Sequence, residues 1–319
     1  MKILQQSANV LVPETPMKHI EKIGRICYKS EDKIADGTDK KFVERMFNSK
    51  HHAMLEHYRF IMEVSPMVYE PLMAVAHPHI GMTHRTYAGR DRFVISFNAR
   101  ALTNIVEDSH AADFGVLPMA IASIRDELIA HITRKYDCHE LFGWNRNDIH
   151  MLSTGVEFID NNPNAMSDDE WMIHGWMSGH MITDRGISHE IVRHREETSF
   201  AQESTRYCNY GKGKFGNEIT VIEPYFFNDY ITRRNKWKAA MDVAELAYLQ
   251  LLDIDATPQE ARTVLPNSLK TEIVVTAQVY EWLHIFDLRV LGTTGKPHPQ
   301  MVEVMKPVRD EMIERGFIE

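Results

Sequence analysis

Gly211-Lys212-Gly213-Lys214-Phe215-Gly216 has the glycine spacing of a dinucleotide-binding loop, and its neighbours decide what the chain cannot be. Such a loop must follow a strand and open a helix, so that backbone N–H groups at the helix N-terminus meet a pyrophosphate. Here the order is reversed: Glu218-Ile219-Thr220-Val221-Ile222 reads as a short strand, closed by Pro224, and comes after the glycines. A doubly wound nucleotide fold is therefore not expected, and the glycines read as a mobile or ligand-covering loop. No GxxxxGK[ST] phosphate loop occurs either.

The remaining elements come in irregular order. Residues 2–12 read as a strand and 16–28 as a helix, with Pro13 and Pro16 between them. Phe42, Val43, Met46 and Phe47 have helical spacing over Asp39 to Lys50, and Tyr58 to Val64 alternates as a strand. The histidine-rich turn His51 to His57 lies between them. A helix over Pro66 to Ala76, a polar loop rich in His, Gly and Arg, a strand Arg92 to Phe97 and a helix opening at Asn98-Ala99-Arg100 follow. Leu117 to Ile132 reads as a helix, Trp171 to Asp184 as β-compatible, and Ile187 to Arg195 as a helix that puts Arg193 and His194 near its end. An amphipathic helix runs from about Ile231 to Leu252 through Trp237, Met241, Leu246 and Leu249. Thr257-Pro258-Gln259-Glu260 has the cap, first-turn proline and reciprocal glutamate of a helix start, with Arg262 just inside. Leu269 to Leu288 reads as a buried helix and Pro299 to Arg315 as a final amphipathic one. No repeat or linker divides the chain. The expectation is an α+β fold: one compact unit over residues 1–319, a mixed or antiparallel sheet packed by helices, elaborated at about 66–186.

Anion-binding groups concentrate in Arg193-His194-Arg195 and Ser204-Thr205-Arg206-Tyr207. Guanidinium forks grip phosphate or carboxylate at two points. Glu196, Glu197 and Glu203 nearly cancel their charge, so an anion here is held by geometry rather than by a diffuse field. The whole chain has a net charge of −9, which argues against general nucleic-acid binding. Cys27, Cys138 and Cys208 are too scattered for a disulfide framework and suggest a reducing compartment. With no apolar leader and no run of membrane-spanning length, a cytoplasmic protein without membrane contact is expected. The histidines lack HExxH-type spacing, so no metal site is assigned. Cys208 as a nucleophile, or Ser204 in a Ser-His-acid arrangement, finds little support in the sequence. A metal-dependent nucleotide hydrolase and a non-catalytic nucleotide-binding module stand as alternatives.

Arg193-His194-Arg195, eight residues and then Ser204 resembles the signature of the flavin-dependent thymidylate synthases. His51 to His57, Ile187 to Val192, Ala261-Arg262-Thr263-Val264-Leu265-Pro266, Phe286-Asp287-Leu288-Arg289 and His298-Pro299-Gln300 resemble further family elements in the same order. Many members have seven residues before the serine, an Asn-Glu pair where Ala201-Gln202 stands, and Ser or Thr at Ala53. Residues 66–186 resemble only a longer subgroup.

The resemblance implies the thymidylate synthase-complementing fold and reductive methylation of dUMP to dTMP. Methylenetetrahydrofolate would give the carbon, NADPH or NADH the electrons and FAD would carry them, in a homotetramer with sites between subunits. It implies FAD contacts from His51, Arg193, His194, Arg195, Gln202, Gln278 and His284. It implies dUMP contacts from Glu190, Arg193, Gln202, Ser204, Thr205, Arg206, Arg262 and Arg289. Arg289 would sit against the uracil ring and favour its N3-deprotonated form, as the catalytic residue. The implied partners are small molecules: dUMP, folate and nicotinamide.

Overall fold

The structure is a computed structural model and describes residues 1–74, 80–87, 89–107, 126–133, 155–227 and 230–319. Its strands, in chain order, are β1 (Lys2–Leu4), β2 (Ser7–Leu11), β3 (Arg59–Val64), β4 (Ile80–Tyr87), β5 (Arg90–Asn98), β6 (Val156–Phe158), β7 (Trp176–Asp184), β8 (Thr198–Gln202), β9 (Thr220–Ile222) and β10 (Lys270–Gln278). They form a four-stranded sheet in the order β2-β7-β10-β8, a second in the order β4-β5-β3-β6, and the pair β1-β9. Both large sheets are antiparallel, and β1-β9 is parallel. With helices around these sheets the α+β expectation holds.

β10 is the centre of the first sheet, pairing β7 on one side and β8 on the other. Every residue from Thr271 to Gln278 is buried. Ile273, Val275 and Ala277 join the core beneath the C-terminal helix Pro299–Glu314, while Val274 packs with the core around the helix Pro16–Tyr28. This corrects the single helix expected over Leu269 to Leu288, which is β10 followed by the helix Val279–Phe286. A strand buried on both faces loses its alternation and resembles a buried helix in sequence. The β-branched run Thr271, Ile273, Val274, Val275 and Thr276 favours the strand.

Trp171 to Asp184 divides likewise. Ser167 and Glu170 close a capping box on the helix Asp168–His174, and β7 begins only after Gly175. Residues 2–12 are two strands in different sheets, and the polar loop after residue 79 contains β4, hydrogen-bonded along β5. Leu246, expected on the inner face of the helix Ile231–Asp253, is 56% exposed. The helix starts at Pro16, the capping box at Thr257 and the helix Pro299–Glu314 agree with expectation. β9 follows the glycine-rich segment, as the exclusion of a dinucleotide loop requires. Residues 75–76 of the helix expected after Pro66, and 117–125 of that expected to end at Ile132, lie outside the described residues.

Polar pairs thread the core. His19 Nε2 meets Ser178 Oγ at 3.1 Å, Ser178 Oγ meets Thr276 Oγ1 at 2.6 Å, and His57 Nδ1 meets Thr276 Oγ1 at 2.8 Å. His174 bridges Thr83 and Ser96 between the helix Asp168–His174 and the second sheet. Burial pushes these histidines down, His19 to about 3, His57 to about 4 and His174 to about 3. Each is therefore neutral at neutral pH.

Candidate active site

Asp184 ends β7 and caps the helix Arg185–Ile191, accepting from Ile187 N at 2.7 Å; Gln300 Nε2 donates to its other oxygen at 3.1 Å. The helix stops at Ile191, so Arg193, His194 and Arg195 occupy the turn between it and β8 rather than the helix itself. With Glu196 they line a cavity of 580 Å³, whose other wall is Tyr280, Glu281, His284, Leu288 and Arg289. That wall exists because β10 passes directly into the helix Val279–Phe286, whose Tyr280, Glu281 and His284 line the cavity with the turn. The volume falls within the range of small-molecule sites.

Arg289 is held at the cavity by three donations: Nε to His194 Nε2 at 3.0 Å, Nη1 to Glu190 Oε2 at 3.4 Å and Nη2 to the Glu190 carbonyl at 3.4 Å. A guanidinium can only donate, so His194 Nε2 accepts and the ring proton is on Nδ1. Nδ1 faces Glu281 Oε1 at 3.7 Å, and both side chains are buried. Glu281, His194, Arg289 and Glu190 thus form one chain that fixes Arg289. The arginine lies in the π-helical turn Asp287–Leu291, closed by Gly292 at φ +72°, a local widening often found at functional positions.

β8 runs away from this cavity and carries the signature to a second place. Arg262 Nη1 donates to Thr205 Oγ1 at 3.4 Å and Arg206 Nε to Gln259 Oε1 at 3.1 Å, with Arg206 and Arg262 both exposed. The capping box at Thr257 holds Gln259 and Arg262 in position. A five-residue strand is about 17 Å long, so Ser204-Thr205-Arg206 and Arg193-His194-Arg195 are far apart within one chain. Buried contacts anchor the far end: Tyr210 Oη and Lys270 Nζ donate to Glu203, and Arg185 Nη2 to the Glu203 carbonyl.

The other residues singled out in sequence are placed as follows. Glu190, Arg193, His194, Arg195, His284 and Arg289 gather at the cavity end; Ser204, Thr205, Arg206 and Arg262 gather at the far end. Gln202 donates inward to Ser188 Oγ and Thr271 Oγ1. Gln278 is 3% exposed and donates to the Ile173 carbonyl, so it does not line the cavity. His51 Nδ1 meets Tyr28 Oη at 2.6 Å, and the Tyr28 ring lies edge-on to Tyr207 at 5.4 Å. His51 therefore belongs with the far end.

Sequence reasoning missed Tyr280, Glu281 and Leu288 as wall residues because it took their segment for one buried helix. It also missed a smaller cavity of 210 Å³ lined by Glu56, Asn98, Arg100, Ala101, Asn104, Arg195, Glu197, Thr198 and Ser199. A polar break at Gln278 after a β-branched run was the available signal for the first; the second depends on contacts between distant segments. Among the described residues no three His, Cys, Asp or Glu side chains gather as a metal site. Cys208 is buried, and burial pushes the Cys27 thiol up to about 11, opposite to what a nucleophile needs. Among those residues no helix is long and apolar enough to cross a membrane.

Part of the chain is similar to known proteins. Residues 172–314 match the family model of the thymidylate synthase complementing protein. A flavin-dependent thymidylate synthase of Geobacter sulfurreducens is 35% identical over 105 residues, 33% of this chain and 43% of that protein. One of Pyrococcus furiosus is 31% identical over 134 residues, 42% of this chain and 52% of its own length. The chain thus spans about half the length of these curated relatives. Among solved structures, the UMP/dUMP methylase PolB of Streptomyces cacaoi, bound with 5-Br dUMP, aligns with 100% of this chain and 99% of its own. Its TM-score is 0.40 at 12% identity, too remote to carry an argument. The matched segment, less than half of the chain, holds the Arg-His-Arg turn, β8, β10 and the π-helical Arg289, and it is there that the chain is similar to the thymidylate synthase complementing protein and to the flavin-dependent thymidylate synthases.

Proposed function

We propose that this chain is an FAD-dependent methyltransferase that converts dUMP to dTMP, taking carbon from methylenetetrahydrofolate and electrons from NADPH or NADH. The observation that carries this is Arg289, immobilised by His194 and Glu190 beside a cavity walled by Arg193 and Arg195. Three of its five N–H donors are engaged, leaving two for the substrate. A fixed guanidinium against a uracil ring stabilises charge developing on N3 and the neighbouring oxygen, and costs no reorganisation during reaction.

The donor set fits FAD: guanidiniums suit its phosphates, and Tyr280, His284 and Leu288 give a partly apolar wall. Bound there, the flavin supplies the hydride-carrying chemistry that no side chain can. Arg193, His194, Arg195 and His284 bind and orient it. Glu190, Ser204, Thr205, Arg206 and Arg262 bind dUMP, with Gln202 and Gln278 supporting from behind and His51 standing beside the far-end group. The whole chain acts as one unit, elaborated at about 66–186, in the cytosol and without nucleic acid.

Because two groups of dUMP ligands stand at opposite ends of β8, each site takes one group from each of two subunits in a homotetramer. Val243 and Leu246, 67% and 56% exposed on the helix Ile231–Asp253, offer an apolar face for that assembly. Purified protein should be yellow, with a flavin absorbance spectrum and dUMP-dependent NADPH oxidation; colourless protein without that oxidation would remove the proposal. Co-expressed Arg206→Ala and Arg289→Ala chains should regain up to roughly a quarter of the activity when mixed into one oligomer. Continued inactivity would place both groups in one subunit's site.

A further inference from the structure

The turn that carries Arg193, His194 and Arg195 ends on an unusual residue. Glu197 has φ +46°, in the left-handed region where a β-carbon is disfavoured. A non-glycine residue stays there only where surrounding structure compensates. Arg59, the first residue of β3, donates Nη1 to Glu197 Oε2 at 2.9 Å. Its side chain is 3% exposed and that of Glu197 20%. Among the described residues, Nε and Nη2 of Arg59 find no acceptor. Burial lowers the pKa of Arg59, and Glu197 is the first group that opposes this.

A buried arginine with two idle nitrogens is a poor way to stabilise a fold, since an apolar side chain of similar volume avoids the desolvation cost. Its position suggests another use. Arg195 lines both cavities, while Glu196 lines the larger and Glu197 the smaller. Tyr280, on the larger cavity's wall, lies within the electrostatic reach of Glu197, Glu196 and Arg59. Asn98, which pairs with Arg59 across the second sheet, lines the smaller cavity. The Arg59–Glu197 pair therefore stands at the partition between them.

We propose that Arg59 is a positioning residue: by holding Glu197 in its left-handed turn it presents Arg195 to both cavities at once, so that one dinucleotide-class anion can span the partition. The identity of that anion as FAD rests on the function proposed above; the latch itself does not. Arg59→Met removes the charge at similar volume. Adding Glu197→Gly removes the carboxylate that Arg59 pairs with and supplies a residue that adopts positive φ freely.

Two measurements on the flavin-free protein test this. Hydrogen exchange at the amides of residues 195–198 should speed up in Arg59→Met and return toward the parent rate in the double variant. FAD affinity, from fluorescence quenching, should fall about tenfold or more in Arg59→Met and recover to within about threefold in the double variant. Rescue by Gly is an outcome that a mere packing role does not produce. Unchanged exchange and affinity in Arg59→Met would overturn the proposal, as would a loss that Glu197→Gly fails to restore. Should the parent bind no FAD, the flavin assignment falls while the exchange rates still decide the latch.

Discussion

The two ends of β8 use the same residue types in opposite ways. At the cavity end, Arg289 is immobilised through His194, itself 6% exposed and backed by the buried Glu281. At the far end, Arg206 and Arg262 are exposed and donate to Gln259 and Thr205. The difference teaches that one end is organised by its own buried neighbours, whereas the other leaves its guanidiniums open to solvent. An arginine fixed by buried neighbours has already lost its side-chain entropy on folding, whereas an exposed one loses more of it when it is ordered by a contact.

The buried side should break first, and most severely, in acid. His19, His57 and His174 have folded pKa values of about 3, about 4 and about 3, below the ordinary value of 6.5. Only the unfolded chain takes up protons below pH 6.5, so stability is full above that pH and lost as pH falls toward the folded values. Each histidine removes up to about 1.4 kcal/mol per pH unit over that window. Urea midpoints should fall steeply from pH 6 to pH 4, and His57→Gln should flatten that slope. An unchanged slope would mean that the buried imidazoles are not the acid-sensitive groups.

Arg289→Lys should keep the charge but lose the fork that meets His194 and Glu190 together, lowering kcat by about 10² to 10³ with FAD content unchanged. Equal loss of turnover and flavin would make Arg289 a cofactor ligand instead. Arg206→Ala, by contrast, should raise the dUMP KM by about 10- to 100-fold and leave the absorbance spectrum alone. A fall in kcat at constant KM would erase the distinction between the two ends. The smallest effect is expected from Thr257→Ala, which removes one half of the capping box supporting Gln259 and Arg262. It should cost about 1 kcal/mol of stability in thermal denaturation and weaken dUMP more than flavin.

Much of this site was legible because its chemistry is local in sequence. Arg193, His194 and Arg195 are consecutive, and Arg289 closes a segment that resembles the flavin-dependent thymidylate synthases. The helices at Pro16, Thr257 and Pro299 were legible for a similar reason, since caps and first-turn prolines act within a few residues. The strand β10 was not. Packed on both faces and between β7 and β8, it has no polar face to show a period of two, and only its β-branched residues hint at the choice. The same misreading concealed Tyr280 and Glu281. Arg59 stayed hidden for a different reason: within an alternating strand it looks like a solvent-facing residue until Glu197 is seen to cover it.

By itself the sequence determined which groups this protein brings to an anion, that no glycine loop precedes a helix, and where its capped helices begin. Only the tertiary structure decided that the signature is split across β8, that His194 fixes Arg289, and that Arg195 faces two cavities beside a buried Arg59. Composition and spacing act through neighbours a few residues apart. Burial, hydrogen-bond acceptance and ion pairing depend on which distant segments fill the space around a side chain, and only the assembled sheets settle that.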